Sequence, residues 1–192
     1  MFLSSADGTR LVVEEAGDGT PLILVHGGMS DTRAFDRVLP AFTERHRCLA
    51  FGRRGYGQSG DGASHSYEQE AEDDGIGFSP EQIDRVRADP SWAARTALVP
   101  AWAREIRTAE ALPLGVERFR GVTTPTLLLL GTRTEPHHVE ATEALHDPLP
   151  NSEVALLTDQ GHTALVTAPD QVCDAVLPFL AAHSHPVRTN GP

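Results

Sequence analysis

The chain has 192 residues, of which 40% are apolar and 22% charged, so it fits one globular domain with a real core and is not a disordered segment. Its net charge of −11 argues against nucleic acid or an anionic membrane surface as a main partner, and the plain role of the acidity is solubility. No run of about 18 apolar residues suits a membrane span, and Met1-Phe2-Leu3-Ser4-Ser5 lacks the basic and apolar regions of a signal peptide, so a cytoplasmic protein is expected.

In chain order, Thr9–Glu15 reads as a strand after an Asp7-Gly8 turn. Pro21 opens Leu22–Val25, a continuous apolar run suited to a strand covered on both faces, which stops on His26-Gly27-Gly28. Ser30 or Asp31 can cap a helix running to about Glu44, with Phe35, Val38, Leu39 and Phe42 on one face. Arg47–Phe51 is a further short strand, followed by a glycine-rich loop from Gly52 to Gly62. A short helix is expected near Ser66 or Tyr67, ending by Asp74-Gly75. Ser79-Pro80 and Asp89-Pro90-Ser91 start two more helices, the second with Trp92, Leu98, Trp102 and Ile106 on its apolar side.

The second half begins with the strand Thr126–Gly131, behind Thr124-Pro125. Pro136–Leu149 is helical, Glu153–Leu157 is a strand ending in Gln160-Gly161-His162, and Pro169–Ala182 is a closing helix with Pro178 as an internal kink. His183–Pro192 is expected to fray. Cys48 and Cys173 sit in apolar contexts and read as small buried hydrophobes, not as a disulfide or metal pair. Apolar strands alternating with helices define an α/β class with a mostly parallel sheet, in which ligands bind at the carboxyl ends of the strands.

Four motifs stand in order: strand-His26-Gly27-Gly28, strand-Gly52-Arg53-Arg54-Gly55-Tyr56-Gly57-Gln58-Ser59, strand-Gly131 and strand-Asp159-Gln160-Gly161-His162. Together they resemble the α/β-hydrolase superfamily, in its esterase-like and epoxide-hydrolase-like branch common in actinomycetes, over roughly Phe2 to Ala182. The resemblance implies that the backbone N–H of Gly28 or Met29, after Gly27, donates to an oxyanion, and that His162 is the general base. Arg53 or Arg54 would hold an anionic group. The family's acid belongs in the loop after Gly131. Many relatives carry aspartate where this chain has Thr134, and Glu135 is the nearest carboxylate. Glu135 either orients His162 or is only a first-turn acid before Pro136. His137-His138 lacks partners at ligand spacing and reads as a solvated pair with no metal.

The family's nucleophile, a serine in Gly-x-Ser-x-Gly on a strand-to-helix turn, is absent. Ser30 and Ser59 lack the second glycine at the right spacing. Ser66, in Ser64-His65-Ser66-Tyr67-Glu68, lacks both glycines and an incoming strand. The implied fold is therefore a truncated α/β-hydrolase-like parallel sheet flanked by helices, a single domain over residues 1–192. It keeps a small cap-like helical insert at about 79–112 and lacks its central elbow strand. Such a deletion leaves strand edges unpaired in mid-sheet, which invites homodimerisation.

Three functions compete: a hydrolase-fold protein without serine catalysis that binds a small-molecule ligand, a hydrolase or lyase using His162 and water with the His26-Gly27-Gly28 loop, and a subunit completed by another chain. No cofactor signature is present.

Overall fold

The first two strands form an antiparallel hairpin: β1, Phe2–Ser4, pairs with β2, Arg10–Ala16, in the register Phe2↔Val12 and Ser4↔Arg10. The Arg10 guanidinium lies 3.6 Å above the Phe2 ring, a cation–π contact that covers an otherwise exposed aromatic face. The computed structural model describes residues 1–4, 8–60, 97–110 and 115–183. The helix expected near Ser66, the helix starts at Ser79 and Asp89, Trp92, and the tail beyond His183 lie outside the described residues.

Next come β3, Thr20–Val25, a 3-10 turn at Thr32–Phe35, α1, Leu39–Thr43, and β4, His46–Phe51. The single helix expected from Ser30 to Glu44 is thus split. Pro40 sits in the first turn of α1. It has no N–H to give to a preceding carbonyl and its ring crowds the previous turn, so Pro40 is well placed in a first helical turn and disfavours continuing a helix from the residues before it. The strands form a four-stranded sheet in the order β1-β2-β4-β3. β3 ends that sheet. Its Leu24 is buried, but Ile23 and Val25 are each 61% exposed. The expectation of a strand covered on both faces therefore fails: residues two apart share a face, and one face of β3 has no cover among the described residues.

The remaining described elements are α2, Val99–Glu110, a 3-10 turn at Val116–Gly121, β5, Thr126–Gly131, α3, Pro136–His146, β6, Ser152–Leu157, α4, Ala164–Thr167, and α5, Pro169–His183. β5 and β6 make a separate two-stranded parallel sheet, in register from Thr126↔Ser152 to Gly131↔Leu157. The α/β class read from the sequence is what the chain adopts, and β3 and β5 are both terminal strands of their sheets. α3 stops before Pro148, three residues earlier than expected, and α5 continues past Pro178. No described helix is long and apolar enough to cross a membrane.

Two compact units are interleaved along the chain. One comprises Met1–Glu15, Ile23–Arg33 and Leu49–Pro113; the other comprises Ala16–Leu22, Ala34–Cys48 and Leu114–Pro192. In the first, Val13 is fully buried, and Tyr56, Leu98 and Ala101 form a core cluster with Trp102 packed against it. In the second, Phe35, Val38, Phe42, Leu157 and Val172 are buried. Cys48 and Cys173 are buried free thiols, and burial pushes both above the usual thiol range, as expected of small hydrophobes rather than reactive groups.

Candidate functional site

In the first unit, the His26-Gly27-Gly28 loop and the arginine-glycine loop are joined through the histidine ring. His26 Nδ1 meets the Gly27 carbonyl at 2.8 Å, and the Arg53 backbone N–H donates to His26 Nε2 at 3.0 Å. Nε2 is therefore the acceptor, and Nδ1 carries the proton. His26 is 3% exposed, and burial holds its pKa below the usual histidine range. A neutral imidazole accepting one backbone bond and making another is a structural strut between two loops.

The Arg53 side chain extends that network. Its guanidinium donates to the His26 carbonyl at 3.3 Å and pairs with Glu105 of α2. The Tyr56 hydroxyl donates to the other oxygen of Glu105 at 2.8 Å. Burial by itself would raise the Glu105 carboxyl. The bonds from Arg53 and Tyr56 outweigh that, and the group stays below its ordinary value. The Tyr56 hydroxyl is pushed well above its ordinary value, first by burial and then by the neighbouring carboxylate. Of the two cations expected to hold an anion, Arg53 is thus engaged by Glu105, and Arg54 donates to the Thr9 hydroxyl.

The two residues expected to donate to an oxyanion have distinct environments. Met29 adopts the left-handed region at φ 56°, which turns the chain sharply after the glycines. Gly28 lies under the Trp102 indole: a Cβ there would come within 2.5 Å of Cδ1 and 2.9 Å of Nε1. Gly28→Ala is expected to cost about 1 kcal/mol by crowding in the parent and much less when introduced beside Trp102→Leu, whose own cost is measured separately. Paired denaturation curves of the single and double variants measure this.

In the second unit, a zipper of hydrogen bonds joins the loops that follow β5 and β6. Thr132 N–H donates to Leu157 O at 3.0 Å, Arg133 N–H to Gln160 O at 2.8 Å, and Asp159 N–H to the Thr132 hydroxyl at 2.9 Å. Arg133 also pairs with the Asp159 carboxylate at 3.0 Å. Asp159 takes a left-handed φ of 58° to make the turn. This zipper places the His162 ring against the His138 ring, with centroids 4.3 Å apart and planes inclined by 1°. His137 leans on His138 at 4.0 Å.

Two positive charges at that separation would repel by about 1–4 kcal/mol between bulk water and a protein surface. Partial burial first, then His162 and His137, hold His138 below the usual histidine range, and Glu135 opposes them. Glu135 is the N-cap of α3, where its backbone carbonyl accepts from His138 N–H at 3.0 Å. Among the described residues no hydrogen bond joins Glu135 to His162; the His138 ring is what touches it. The His138 and His162 rings lie face to face rather than edge to edge about a common point, and no group of three metal-ligating side chains occurs among the described residues.

The histidine stack stands at one end of a cleft of about 520 Å³. Its walls are Leu127 to Leu130, Leu145, Leu157, Leu165 and Val172, and its polar lining is Thr134, Thr142, His138 and His162. Consecutive strand residues point to opposite faces. A cleft lined by four in a row therefore wraps the edge of β5 that is not paired with β6. Sequence reasoning identified His162 and the β5 strand. It missed His138 as a neighbour of His162, and it missed Glu105.

No protein-family model and no curated protein matches the chain. Solved structures do. An α/β hydrolase from Sphaerobacter thermophilus superposes with a TM-score of 0.76 at 18% identity, covering 94% of this chain and 100% of that one. An enol-lactonase from Burkholderia xenovorans gives 0.72 at 14% identity, covering 94% and 100%. An esterase from a Rhodococcus species gives 0.68 at 18% identity, covering 96% and 99%.

Proposed function

We propose, on the premise that this chain has an α/β-hydrolase fold, that it takes a small, largely apolar ligand with one polar end into the cleft beside β5 and forms no serine acyl-enzyme. The observation that carries this reading is the composition of the cleft: His138 and His162 stand at its end, and among the described lining residues there is neither serine nor cysteine. Support comes from the serines elsewhere. The Ser59 hydroxyl donates to Gly52 O at 2.6 Å and accepts from Val12 N–H at 3.0 Å, so it ties its loop to β2. The Ser152 hydroxyl meets His146 Nδ1 at 2.7 Å and the Leu149 carbonyl at 3.0 Å at the start of β6. Ser66 lies outside the described residues and is covered by the experiment.

The expected result with a fluorophosphonate probe is no stoichiometric labelling of the native chain, read by intact mass. One label per chain on any serine would end this reading. A second reading, in which His162 activates water against an ester or lactone, is favoured by the exposure of its ring at the cleft. It requires turnover that His162→Ala abolishes.

A further inference from the structure

The cleft is most polar at one end; elsewhere, among the described residues, its one polar side chain is Thr142, whose hydroxyl is occupied in donating to the His138 carbonyl at 2.8 Å. Gly131, Thr134, His138, Gly161 and His162 gather at the carboxyl end of β5, while Leu127, Leu128, Ala141 and Leu145 line the part toward its amino end. The four leucines of the strand span about 10 Å. The polar end offers the ring N–H groups of two stacked imidazoles and the Thr134 hydroxyl, which suits a single anionic head. We propose that the stacked pair His138–His162 is a carboxylate-binding site, and that the cleft's ligand is an apolar monocarboxylic acid whose chain lies along Leu127–Leu130. This rests on the reading of the cleft as the ligand site and names the class of ligand.

Burial and the two neighbouring histidines disfavour charge on the unliganded His138 ring and Glu135 opposes them, so an added anion is what would favour a proton there. Glu135 and His137 flank His138 on its own helix, and Arg133 and Asp159 on the two adjoining loops neutralise each other. On the 3-10 turn packed against α3, Glu117 pairs with Arg120, whose electrostatic neighbour is Asp147 at the other end of the helix. A bound carboxylate stabilises the protonated stack, so binding tightens as pH falls through the histidine range while the acid stays ionised.

The test is isothermal titration of the full chain with octanoate and with octanol. Octanoate is expected to bind at least about tenfold more tightly at about pH 5.5 than at about pH 8, and octanol equally at both. His138→Asn and His162→Asn should each flatten the octanoate profile. Should a variant fail to fold, by near-ultraviolet circular dichroism, the wild-type comparison of the two ligands decides alone. Octanol binding with no pH-dependent preference for octanoate overturns the carboxylate site and leaves the cleft reading standing. Binding of neither compound overturns both.

Discussion

Tyr56→Ala is expected to lose about 3–5 kcal/mol of stability, the range for emptying a buried aromatic site. Tyr56 is 2% exposed and is the largest fully buried side chain among the described residues. Its ring packs with Leu98 and Ala101, meets the His26 ring edge-on at 5.1 Å, and lies 5.1 Å from the Arg53 guanidinium. Truncation leaves a cavity and also leaves Glu105 with one partner fewer. Tyr56→Phe separates the two effects. It keeps the ring and removes only the bond to Glu105, so it should cost about 1 kcal/mol, since Glu105 is partly exposed and water can replace the hydroxyl. Urea titrations of both variants check this, and equal losses would mean that the hydroxyl rather than the ring holds the loop.

Gly131→Ala is the other large effect, expected at about 3 kcal/mol, the upper part of the range for overpacking. A Cβ at Gly131 would come within 2.6 Å of the Gln160 carbonyl carbon and 2.9 Å of the Gly161 oxygen. These are backbone atoms held by the zipper between the loops, so they cannot swing aside as a side chain would. Relief requires the Asp159–His162 loop to move, which separates His162 from His138. The variant should lose octanoate binding as well as stability. Gly121→Ala, where an added Cβ meets nothing within 4 Å, is the control and should stay within about 0.5 kcal/mol of the parent. Titration and thermal melts on the same samples give both readouts.

The alternation of apolar runs and helix starts was enough to identify the α/β class, because strand and helix periods are local properties of the chain. The run Thr126–Gly131 and the Gln160-Gly161-His162 loop were legible for the same reason, as was the absence of a nucleophile elbow, which is a matter of residue order. Pro40 is the instructive local miss. The apolar spacing of Phe35, Val38, Leu39 and Phe42 read as one helix, yet a proline within it marked the break.

The pairing of His138 with His162 was not legible. The two residues are separated by the rest of α3, a strand and two loops, and they meet because β5 and β6 pair in parallel register and the zipper from Thr132 to Gln160 closes over their ends. The same holds for Glu105, which joins Arg53 and Tyr56 from a distant helix and converts a presumed anion-binding arginine into part of an internal network. Residue types, order and periodicity are carried by the chain itself and gave the class, the His-Gly-Gly loop and the lack of a Gly-x-Ser-x-Gly motif. Which side chains share a charge, a proton or a cleft depends on contacts across long sequence separations, and only the packed fold decides those.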